Sequence, residues 1–156
     1  MKIVVSPNPY RDKQFKNARQ ACSILREAGA EVALCLPFDV DKTFEIPHDL
    51  RFQDIQKEIK TADMLICFGG DGTILHSSKI ATEHNLPILG VNIGTMGFIA
   101  ELEAGEIELL RKIPKGDYTV EERTMLDVSV GNGRQTLFHE TALNDAEPCK
   151  AEGKDH

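Results

Sequence analysis

The chain has 156 residues, 41% of them hydrophobic, with a formal net charge of −7 and a pI near 5.2. That is enough for one compact domain with a buried core, or one domain and part of a second. The acidic balance, with Lys and Arg scattered singly, argues against a nucleic-acid or anionic-membrane surface; a phosphorylated small ligand stays open, because backbone amides, helix N-termini and a divalent cation all bind phosphate.

Read in chain order, KIVVS (2–6) is a short β-branched run that predicts a buried strand, and Pro7, Asn8 and Pro9 predict a loop. The same prolines break the N-terminus too early for a signal peptide. Between Gln14 and Ala28, apolar Phe15, Ala18, Cys22 and Leu25 recur at helical spacing, with Gly29 as a stop. EVALCL (31–36) predicts the next strand, and residues 37–53, with two prolines and mixed charge, a surface loop. DIQKEIKTA predicts a short helix and DMLICF (63–68) a central strand. A helix follows from about Thr73 to His84, then a strand over LPILGVN (86–92), then a helix over AGEIELLRKI (104–113) ended by Pro114–Gly116.

Strands alternating with helices predict an α/β fold, a Rossmann-like parallel sheet with helices on both faces. The pattern changes after Asp117. Leu126, Val128 and Val130 alternate with polar residues, and GNGR separates them from QTLFHETALND, which predicts an antiparallel hairpin. The organisation expected is therefore an α/β domain over 1–116, the first strands of an incomplete β-rich domain over 117–145, and a disordered tail over 146–156. No apolar run approaches the ~20 residues of a membrane-spanning helix. The four cysteines form no CxxC pair and the five histidines no metal-binding cluster. Cys22, Cys35 and Cys67 fall in core elements and read as reduced thiols of a cytoplasmic protein.

Two glycine loops stand out. FGGDGTIL (68–75) joins the central strand to a helix, at the sheet edge where α/β proteins bind ligands. Its glycines permit a sharp turn and close approach of a ligand, and the helix start favours phosphate. Asp71 would repel phosphate unless it holds Mg²⁺ or takes a proton from an attacking hydroxyl. The bland account, a helix-capping Asp71 between turn glycines, stands equally. The loop matches neither GxxxxGK[ST] nor GxGxxG. The second loop, in GVNIGTMGFIAEL (90–102), spaces Gly94 and Gly97 before Phe98, which is placed either to stack on a base or to fill the core. EERTML (121–126) and ALND (142–145) are weak signals alone.

Taken together, GGDGT, NIGTMGFIAEL, EERTML and ALND, in this order over Met1 to about Asp145, resemble the bacterial NAD kinase family. GGDGT by itself is shared with phosphofructokinases and with diacylglycerol and sphingosine kinases; the other segments are more specific. The resemblance implies phosphoryl transfer from ATP, or polyphosphate, to the 2′-hydroxyl of the adenosine ribose of NAD, giving NADP, with a divalent cation, Mg²⁺. It implies Asp71 as the catalytic residue that deprotonates or orients the hydroxyl, Gly72 in the NAD and phosphate site, and Thr73 opening the helix. Phe98 then lies beside the nucleotide, Asn144 and Asp145 bind the ribose and adenine side of NAD, and His76 stands where some members face phosphate. No metal-ligating protein residues are expected. The partners implied are small molecules, with no nucleic acid or membrane, and homo-oligomers occur in the family.

The resemblance also implies a longer chain with a complete β-sandwich, whereas AEPCKAEGKDH follows ALND here. The expectation from that departure is weak or no activity for this polypeptide. The competing expectations are a non-catalytic nucleotide-binding module and another kinase of the GGDGT superfamily.

Overall fold

A computed structural model describes residues 1–95 and 97–143. The chain divides into two units, Met1–Val120 and Glu121–His156, the second described as far as residue 143.

In the first unit, β1 (Lys2–Pro7), β2 (Glu31–Leu34), β3 (Met64–Gly69), β4 (Ile88–Asn92) and β5 (Leu102–Glu103) form one sheet in the order β2-β1-β3-β4-β5. Every pairing is parallel. Alternate side chains of β1 and β3 enter different cores. Ile3, Val5, Ile66 and Phe68 meet Ala18, Leu25, Ile107 and Leu110 on one face, while Val4 and Leu65 meet Ile59 and Ala81 on the other. Covering both faces is what makes these strands read as unbroken apolar runs.

The helices supply those covers. α1 (Lys16–Glu27) and a 3-10 helix (Ala104–Lys115) lie on the first face; α2 (Ile55–Glu58), the 3-10 turn Ile59–Thr61 and α3 (Asp71–Glu83) lie on the second. Three predicted boundaries shift. α1 begins at Lys16 because Gln14 and Phe15 adopt left-handed φ of 55° and 54°. Buried Asp12 holds that kink, accepting the Asn17 and Ala18 backbone N–H groups at 3.0 and 2.9 Å and the Asn17 side-chain amide at 2.9 Å. The expected helix over 104–113 is of 3-10 type and runs to Lys115, ending at Gly116 with φ +75°. α3 starts two residues before Thr73, so Asp71, not Thr73, opens it.

Residues 37–53 hold no helix or named strand and are pinned rather than free. Phe44 and Phe52 pack on Phe15, Tyr10 packs on Phe38 and Phe44, and Gln53 bridges to Cys35. Cys22, Cys35 and Cys67 are buried free thiols, and burial pushes those of Cys35 and Cys67 up to about 12.

In the second unit, β6 (Leu126–Gly131) and β7 (Thr136–Ala142) form an antiparallel hairpin with a register break between Val130 and Gly131. Leu126, Val130, Leu137 and Phe138 are exposed on it. The expected tail over 146–156 lies outside the described residues, as does Cys149.

Candidate functional site

The strand order creates the site. From β1 the chain crosses to β2 on one side, then returns past β1 to β3 on the other. The loops leaving the carboxyl ends of β1 and β3 therefore diverge, and the crevice between them is where ligands bind in open parallel sheets. GGDGT occupies the β3 side of that crevice, and residues 8–15 occupy the β1 side.

Side-chain packing demands the first glycine. A Cβ on Gly69 would lie 2.3 Å from Thr73 Oγ1, so α3 can turn back on β3 only over a bare backbone. Gly70, in extended conformation, caps α3; its carbonyl accepts the Thr73 and Ile74 N–H groups at 3.0 and 3.2 Å. Asp71 and Gly72, at the first two helical positions, have no earlier carbonyl of the helix to bond, and the positive end of the helix dipole lies there. A Cβ on Gly72 would meet nothing within 4 Å, so packing among the described residues does not require that glycine.

The second glycine loop closes on the first. The Phe98 N–H donates to both oxygens of Asp71, at 3.1 and 3.2 Å, and the Ile99 N–H donates to Oδ1 at 3.2 Å. A Cβ on Gly97 would stand 3.0 Å from Asp71 Oδ1. The Ile93 N–H donates to the Gly69 carbonyl at 3.1 Å, joining the loops a second time. The Phe98 side chain projects outward, 87% exposed, so it is not a core residue.

His76 faces elsewhere. A carbonyl can only accept, so its Nε2 donates to the Pro37 oxygen, at 3.0 Å, while its ring meets Phe38 edge-on. It lies in the second turn of α3 and ties that helix to the 37–53 loop. The structure thus brings Asp71, Gly72 and Phe98 together and turns the His76 ring nitrogen toward the loop. Asn144 and Asp145 lie outside the described residues.

Three residues escaped the sequence reading. The Asn8 amide donates to Thr73 Oγ1 at 2.8 Å, fastening the β1 loop to α3. Asn92, only 2% exposed, ends β4. Its oxygen accepts the Gly94 N–H at 3.2 Å, and its amide donates to the Thr95 carbonyl at 3.1 Å and the Glu103 carboxylate at 3.0 Å. The signal for both was a polar side chain directly after an apolar strand. Arg11 is the third: its Nη1 lies 3.5 Å from where a Gly94 Cβ would stand.

Chemically, the arrangement offers one carboxylate oriented by two amides, beside a helix start and an exposed aromatic ring. A phosphate charge ~4 Å from that carboxylate meets a repulsion of roughly 4 kcal/mol at an effective dielectric constant of ~20, so phosphate needs compensation nearby. The described residues contain no group of three His, Cys, Asp or Glu placed to hold a metal ion. They do not fit a protein-caged cation.

Residues 2–118 match the ATP-NAD kinase N-terminal domain. The chain belongs to that family. The chain is 44% identical to the NAD kinase of Natranaerobius thermophilus over 93 residues, covering 59% of this chain and 32% of that one. Against the NAD kinase of Caldanaerobacter subterraneus it is 34% identical over 145 residues, covering 92% and 50%. The structure of a yeast NADH kinase complexed with NADH superposes with a TM-score of 0.63 at 19% identity, covering 91% of this chain and 46% of the other, a likeness of fold. The chain spans half or less of the length of these NAD kinases. No helix among the described residues is long and apolar enough to cross a membrane.

Proposed function

We propose that this NAD kinase-family chain contributes to phosphorylation of the 2′-hydroxyl of the adenosine ribose of NAD, with ATP or polyphosphate as donor and NADP as product. The observation that carries the reading is the Asp71 carboxylate, held by the Phe98 and Ile99 amides at 3.1–3.2 Å beside the switch-point crevice.

An ionised carboxylate offers about four lone-pair sites. Oδ1 accepts both amides and Oδ2 shares only that of Phe98, which leaves Oδ2 the freer oxygen. In the proposed step the ribose hydroxyl passes its proton to Asp71. Its oxygen forms a bond to the terminal phosphorus as the bond from phosphorus to the donor's bridging oxygen breaks, and the shortened polyphosphate leaves with that electron pair. A base so placed supplies roughly 10²–10⁴-fold in rate. Gly72 keeps the helix start clear for a phosphate, and Phe98 is the exposed surface for the nucleotide base. Asn144 and Asp145 are assigned to the ribose and adenine side by resemblance. The His76 assignment to phosphate requires its ring to leave Pro37.

The described residues supply no cage for a divalent cation, and no step here runs through one. Three buried thiols support a reducing, cytoplasmic setting, and a net charge of −7 favours small-molecule partners over nucleic acid. The exposed apolar residues of the hairpin are compatible with the self-association known in the family. The α/β domain is assigned to residues 1–116 and the start of the β-rich domain to 117–145.

The decisive experiment pairs NAD titration calorimetry with a coupled NADPH assay. In a full-length version, Asp71→Asn should bind NAD as the parent does and lose at least ~10²-fold in turnover. Near-parental turnover removes the base assignment; NAD binding without turnover in the parent chain favours the binding-module reading instead.

A further inference from the structure

We infer that Arg11, on the β1 side of the crevice and reaching toward the loop that follows β4, binds the polyphosphate of the phosphoryl donor; this rests on the kinase reading above. The backbone fixes where Arg11 starts. The Asn8 N–H donates to the Phe68 carbonyl at 2.8 Å, and the Arg11 N–H closes a turn on the Asn8 carbonyl at 3.1 Å. The Asn8 side chain binds on both sides, its amide to Thr73 and its oxygen to the Tyr10 N–H at 3.0 Å. Buried Asp12 then clamps the next turn through Asn17 and Ala18. Arg11 therefore projects from a braced turn at the carboxyl end of β1, not from a loose loop.

Its guanidinium reaches the second glycine loop at Gly94, where a Cβ would stand in van der Waals contact with it at 3.5 Å. Arg19 pairs with Asp49, and Arg111 with Glu27 and Glu108. The Arg11 side chain, by contrast, has no hydrogen bond or ion pair among the described residues. An exposed, uncommitted guanidinium carries five N–H donors in a fork that matches phosphate oxygens. In a chain of net charge −7, beside a carboxylate that repels phosphate, it is the cation the donor needs.

Geometry divides the site into two sides. Residues 97–99 of the loop face Asp71, and Gly94 faces Arg11. In-line transfer places the attacking and leaving oxygens on opposite sides of phosphorus. A base at one end of the loop and a cation at the other suit that demand, with the ribose at Asp71 and the leaving polyphosphate at Arg11. Assigning Arg11 to the diphosphate of NAD itself is the rival, and the test separates the two.

The test is calorimetric titration of the 156-residue chain with tripolyphosphate, ATP and NAD, for the parent, Arg11→Ala, Arg11→Lys and Lys60→Ala. Lys60 is an exposed cation just before β3 and controls for net charge. Arg11→Ala should weaken tripolyphosphate and ATP by ~10-fold or more, the range for a hydrogen bond to a charged group, and leave NAD within twofold. Arg11→Lys should recover part of the loss. Equal effects from Lys60→Ala, a parent that binds no tripolyphosphate, or a loss confined to NAD would each overturn the assignment. Arg11-dependent tripolyphosphate binding without NAD binding would uphold it while removing the acceptor reading.

Discussion

The two glycine loops look alike in sequence and differ in what their glycines are for. At Gly69 an added Cβ would collide with Thr73, a core side chain, at 2.3 Å. At Gly97 it would crowd the Asp71 carboxylate at 3.0 Å, and at Gly94 it would approach the Arg11 guanidinium at 3.5 Å. The first loop spends a glycine on folding α3 against β3. The second uses Gly97 to leave room for the Asp71 carboxylate, while the approach at Gly94 is an ordinary contact. A glycine motif is thus two kinds of constraint written in the same letter.

The strongest way to break the distinction is to fill each site. Gly69→Ala forces Thr73 and the start of α3 to move, and overpacking of this kind costs ~1–3 kcal/mol. Gly72→Ala, facing open space, should be neutral or slightly stabilising, by a few tenths of a kcal/mol, because alanine suits a helix better. Thermal or urea unfolding of the two variants measures the gap, and equal midpoints would refute a packing role for Gly69. A smaller effect on stability, under ~1 kcal/mol, is expected for Gly97→Ala, since the group it meets is a side-chain oxygen with room to rotate. Its consequence should appear at Asp71: in a full-length version NADP formation falls while the melting midpoint barely shifts. If turnover and midpoint fell in parallel, Gly97 would belong with Gly69.

The smallest effect at neutral pH concerns the floor under both loops. The Cys67 thiol donates to the Leu89 carbonyl at 3.7 Å, linking β3 to β4. Burial raises its pKa from the ordinary thiol value of 9.0 to about 12, so the thiol stays protonated in the fold after it ionises in the unfolded chain. Its contribution is full below pH ~9 and is lost as pH rises from there toward ~12. Melting curves should therefore be flat in this respect from pH 7 to 8.5 and fall above, and Cys67→Ala should make the alkaline fall shallower. An unchanged alkaline slope would show that Cys67 does not contribute to it.

Much of this was legible because it is periodic or local. The parallel sheet follows from apolar runs such as KIVVS and DMLICF, and GGDGT marks its ligand edge without help from distant residues. The misses have a different cause. The left-handed kink at Gln14 and Phe15 depends on buried Asp12, whose partners are chosen by the fold. α3 begins at Asp71 because Gly70 turns there, which propensity does not reveal. β5, two residues long, exists only because β4 offers an edge. Arg11 escaped because the loop after β1 has no glycine to draw attention, although topology makes it one wall of the crevice. For His76 the family resemblance implies a place facing phosphate, and its bond to the Pro37 carbonyl is a contact that no local pattern announces.

The Asn8–Thr73 bond also bears on how the molecule is made. Its two ends are 65 residues apart, and the Asp71–Phe98 bond spans a further 27. Contacts of such separation must close long stretches of chain before they repay the entropy, as the β1–β3 and β3–β4 pairings also do. A nascent chain that has emerged only as far as GGDGT carries the motif in full and none of the site. The loop after β1 waits through the synthesis of two strands for its partner, and the carboxylate waits for a third. Assembly of the crevice is thus bound to the pairing of β1 with β3 and of β3 with β4, and cannot be complete before either.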